Sequence, residues 1–183
     1  MSECPGCQFK LVDESPSECP DCSLGFEDGP DLVFTQELRR LTDRWRTPPE
    51  DLRFYPPEHG GPLIAWMDIC AADGSGSVLT IGVHFDGESI RGDKLHNQLF
   101  HLPATPTDLA IHHQGSPNVL AEAAASWLSE IVDRPLVRHE WDRNERVEYR
   151  VVLAATGAGL VETRDCPPPG TRPDRITAVP VRY

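Results

Sequence analysis

Residues 63–85 read LIAWMDICAADGSGSVLTIGVHF, and the fold class turns on how this stretch is divided. Leu63 to Ala71 is apolar at both odd and even positions apart from Asp68, the pattern of an interior strand covered on both faces. Ser77 to Phe85 alternates, with Leu79, Ile81, Val83 and Phe85 on one face and Thr80, Gly82 and His84 on the other. Between them, Asp73-Gly74-Ser75-Gly76 carries the residue types that tolerate a tight reversal. The two strands are therefore expected to pair antiparallel.

Working outward, a further strand is expected near Asp108 to His113. A helix follows, because Ser116 can cap it, Pro117 suits a first turn, and Leu120, Ala124, Trp127, Leu128 and Ile131 form one stripe. It is expected to end near Asp133. Strands are expected over Pro135–Trp141 and Arg146–Ala154, then over Leu160–Arg164 and Ile176–Val181, separated by a Gly157-Ala158-Gly159 turn and a four-proline loop. Strands, one long helix and more strands predict an α+β fold, an antiparallel sheet with one main packed helix. At 183 residues the chain has room for one such core and a small appendage. The expected division is 1–26 as a metal-held appendage, 27–61 as a linker and 62–183 as the α+β domain. The linker carries a short amphipathic helix from Thr35 to about Trp45, marked by Leu38, Leu41 and Trp45, and then a proline-rich connector.

Cys4-Pro5-Gly6-Cys7 and Cys19-Pro20-Asp21-Cys22 repeat one pattern, with eleven residues between the pairs. Two residues between cysteines let a turn aim both sulfurs at one point, and two such turns facing each other complete a tetrahedral thiolate site. Residues 4–25 resemble a zinc ribbon, an expected preface to the α+β domain. The resemblance implies one structural Zn2+ on Cys4, Cys7, Cys19 and Cys22. Two features depart from the ribbon pattern: the spacer is short, and Gln8 and Ser23 stand where a glycine usually follows the second cysteine. Paired disulfides or a redox pair are the alternatives. Zinc is favoured because so short a segment cannot bury enough apolar surface to fold unaided, and a structural zinc contributes on the order of 10 kcal/mol. Four cysteine ligands leave no open position for a metal-bound water, which argues against chemistry at the metal.

The net charge is −12, and residues 1–31 hold eight acids against Lys10 alone. A polyanion would be repelled there, so nucleic acid is disfavoured as a partner. An acidic patch suits instead another protein with a basic surface. No apolar run is long enough to span a bilayer and no basic-then-apolar leader opens the chain, so the expected compartment is the cytoplasm, with no membrane partner. Cys70 and Cys166 read as core filler in that compartment.

Histidines gather at His84, His96, His101, His112 and His113, but none is spaced as a helical ligand pair. The segment before the main helix, His112 to Ser116, could hold an anion or simply cap the helix. Asp68, His84 and Asp86 fall on neighbouring strands and are the first place to look for acid–base chemistry. No phosphate loop, dinucleotide fingerprint or nucleophile elbow occurs. The expected function is a non-enzymatic zinc-ribbon protein acting as a protein-interaction or adaptor module. An enzyme with its site in the α+β domain is the main alternative, and a nucleic-acid-associated ribbon comes third.

Overall fold

A computed structural model describes residues 29–45, 49, 52–55, 57, 61–74, 76–95, 100–143 and 146–183. The two cysteine pairs, His96 and most of the proline-rich connector lie outside them. The elements run α1 (Pro30–Thr42), β1 (Arg53–Tyr55), β2 (Leu63–Ala71), β3 (Ser77–Phe85), β4 (Ser89–Lys94), β5 (Ile111–Gln114), α2 (Pro117–Val132), β6 (Leu136–Arg143), β7 (Arg146–Leu153), β8 (Gly159–Glu162), β9 (Arg175–Val179) and β10 (Val181–Arg182). The fold is α+β with antiparallel sheets, as the sequence predicts. None of the described helices is long and apolar enough to cross a membrane.

The chain divides into two compact units. Unit 1 takes the described residues up to Asp68, then Thr80–Ile131 and Tyr183; unit 2 takes Ile69–Leu79 and Val132–Arg182.

In unit 1 the strand order is β1-β2-β3-β4-β5. Register fixes the faces: Phe85 stands opposite Ile90 and Val83 opposite Gly92, while His84 stands opposite Arg91. The apolar face carries Leu63, Ala65 and Met67 of β2 with Ile81, Val83 and Phe85 of β3, all buried. Helix α1 packs there. Phe34 is fully buried and stacks on Phe85, with ring centroids 4.4 Å apart and planes 6° from parallel. Arg39 extends over the Phe54 ring, 5.2 Å from its centroid. The segment expected as a linker thus supplies both α1 and β1 to unit 1. The helix also starts earlier than its apolar spacing indicates, because Gly29 is extended at the N-cap and Pro30 pre-sets the first helical φ. Helix α2 buries Leu120, Ala124, Trp127, Leu128 and Ile131, the stripe read from sequence, and Trp127 Nε1 donates to Leu109 O at 2.7 Å.

Strand β4 carries no periodic signature in the sequence, because Ile90 is the single large apolar residue in Ser-Ile-Arg-Gly-Asp-Lys. Its neighbours impose it. A Cβ on Gly92 would stand 2.7 Å from Val83 Cγ1 and 2.8 Å from Ile111 Cγ2, so only glycine lets β3, β4 and β5 keep this packing. Gly82 is equally confined, with Ala65 O 2.6 Å and Trp66 Cβ 2.9 Å from such a Cβ.

Unit 2 is built on a second sheet, in the order β8-β7-β6-β9, with the tip of the β2–β3 hairpin and β10. The hairpin closes through Ala71 N to Gly76 O at 3.0 Å, and β10 pairs with β2 by Val181 opposite Ala71. One sheet face is covered by the loop over residues 163–173. Trp141 Nε1 donates to Arg172 O at 2.9 Å, and Arg150 Nη2 donates to Pro167 O at 2.8 Å. The other face carries Arg138, Glu140, Tyr149 and Val151.

Candidate functional site

The polar face of the unit 1 sheet carries the acid–base residues singled out from sequence. Asp68 and Thr80 point to the same side, and the Thr80 hydroxyl donates to Asp68 Oδ1. His84 lies four residues further along β3, on the same face. Its Nε2 is 2.8 Å from Phe100 O; since a carbonyl only accepts, Nε2 carries the proton. Burial pushes the His84 ring below its ordinary value of 6.5, an effect partly offset by the bond to Phe100 and reinforced by Arg91 and His101. The ring is therefore neutral at pH 7.

Asp86 does not join this pair. It sits past the end of β3 and accepts Ser89 N at 2.7 Å, Ser89 Oγ at 2.8 Å and Glu88 N at 3.1 Å, which hold the β3–β4 turn. The Ser89 hydroxyl bond leads the effects that lower its carboxyl. Asp68, His84 and Asp86 thus share a neighbourhood, but each has its own structural partner and none of these bonds links them.

A residue unmarked in the sequence, Asp93, ties the segment after β4 to the sheet. It is 3% exposed and accepts Thr107 N at 2.8 Å and Lys94 N at 2.7 Å, together with the Thr107 hydroxyl. A buried carboxylate has about four acceptor sites, and hydrogen bonds from described residues fill three of them here. Phe100, in the segment so held, adopts a left-handed φ of 53°, which a bulky side chain rarely takes. Its ring lies 4.6 Å from that of Trp66 and 6.2 Å from that of Tyr55, with the Arg53 guanidinium 6.0 Å from the Trp66 ring. The tilted contact with Trp66, planes 31° apart, and the His84 bond to its carbonyl are contacts that offset the backbone cost.

The other described histidines of the 84–113 cluster lie at the surface. His101 is exposed, and His112 and His113 are exposed on β5. Among the described residues no three His, Cys, Asp or Glu side chains are grouped to hold a metal ion. Cys70 and Cys166 form no disulfide among the described residues, and both are half-buried. Burial pushes the Cys166 thiol up, away from the thiolate form that makes cysteine reactive.

Cys4, Cys7, Cys19 and Cys22 fall outside the described residues, so the zinc site rests on their spacing. Among known proteins, no family model matches the chain, and neither a curated protein nor a solved structure matches it.

Proposed function

We propose that this chain is a non-enzymatic, cytoplasmic protein-interaction module, in which Cys4, Cys7, Cys19 and Cys22 bind one structural zinc and the acidic N-terminal segment engages a basic surface on another protein. The observation that favours this reading over an enzyme is that Asp68, His84 and Asp86, the acid–base candidates on neighbouring strands, each have a structural partner. Asp68 accepts from Thr80, Asp86 holds a turn, and neutral His84 commits Nε2–H to Phe100 O. These bonds commit His84 Nε2–H and Asp68 Oδ1 to the fold, so neither of those two atoms is presented to a ligand. The thiolate set supports a reducing compartment, where cysteines remain available as ligands.

Charge supports the choice of partner. Eight acids and Lys10 in residues 1–31 give a field that attracts arginine- and lysine-rich surfaces and repels phosphate backbones. The test is to cross-link the full chain in a native lysate at rising salt, and in parallel to titrate it with DNA and RNA at about 50 mM salt, where electrostatic binding is least screened. Protein cross-links that weaken with salt and disappear in Cys19→Ser are expected. Micromolar nucleic-acid binding that depends on Lys10 or the cysteines would contradict the proposal.

A further inference from the structure

We draw no further inference here: the strongest candidate, the outer edge of β9 in unit 2, where Ile176 is 61% exposed, is bordered by no further strand among the described residues, and nothing in the structure shows what covers it.

Discussion

The two sheets have the same antiparallel pairing and both bury apolar side chains, Trp141, Val151, Val152 and Leu153 among them in unit 2, but they differ in what flanks that core. In unit 1 the apolar face is closed with aromatic and aliphatic side chains: Phe34, Phe85, Leu38, Met67, Ile81 and Ile90 are all fully buried. In unit 2 the sheet is edged by charge. Arg175 bonds Glu140 at 3.0 Å and Asp142 at 3.1 Å, and Arg150 bridges Glu162 while its guanidinium lies 5.8 Å from the Trp141 ring. Burial of apolar area gains roughly 25 cal/mol per Å2, whereas exposed ion pairs gain at most about 1 kcal/mol each. Unit 1 should therefore be sensitive to side-chain volume, and unit 2 should tolerate loss of single charges.

The largest effect is expected from Phe34→Ala. It removes a fully buried ring and leaves Phe85 facing a void, so urea unfolding should register a loss of about 3–5 kcal/mol. A loss under about 1 kcal/mol, the ordinary cost of an unremarkable substitution, would break the contrast. Next comes Gly82→Ala, whose new methyl meets the Ala65 carbonyl at 2.6 Å. Backbone must move to admit it, and overpacking of this kind costs about 1–3 kcal/mol in the same measurement. A neutral result would mean that β2 and β3 can separate freely.

A smaller effect concerns pH. Burial lowers the folded-state pKa of His84, so between that value and its ordinary 6.5 the unfolded chain binds more protons than the folded one. The stabilising contribution is present above pH 6.5 and is lost as pH falls through the depressed folded value. Denaturation midpoints of the wild type should decline over about pH 7 to pH 5 more steeply than those of His84→Gln. Parallel curves would remove His84 from the account. The smallest effect is expected in unit 2: Arg175→Gln breaks two ion pairs of an arginine that is half-exposed, and its melt should match the wild type within error. A clear loss would show that the charged edge carries structural weight comparable to the apolar face of unit 1.

The same contrast governs what can be read from sequence. The β2–β3 hairpin and α2 announce themselves by periodicity, since each buries a regular apolar face. Strand β4 does not, because Gly92 is selected by what stands beside it in β3 and β5, and sequence spacing carries no trace of those neighbours. Strand β1 is three residues among prolines, and only its pairing with β2, Arg53 opposite Trp66, Phe54 opposite Ala65 and Tyr55 opposite Ile64, makes it a strand. For the polar face, sequence supplies Asp68, His84 and Asp86 as residue types. It cannot supply the partners Thr80, Phe100 and Ser89, which decide what those side chains are free to do. Arg138 shows the same limit, since its place beside Tyr149 follows from the β6–β7 register, in which Glu140 faces Tyr149.

Metal content tests most directly whether Cys4, Cys7, Cys19 and Cys22 form the proposed zinc-held module ahead of the α+β fold. Elemental analysis of the full chain, purified without a metal-affinity tag, should find one zinc per chain, and Cys19→Ser should lower that value. Acidification and chelators should both release the metal, because protons compete for the thiolates. A chain that carries no zinc, or carries iron in its place, would contradict the account.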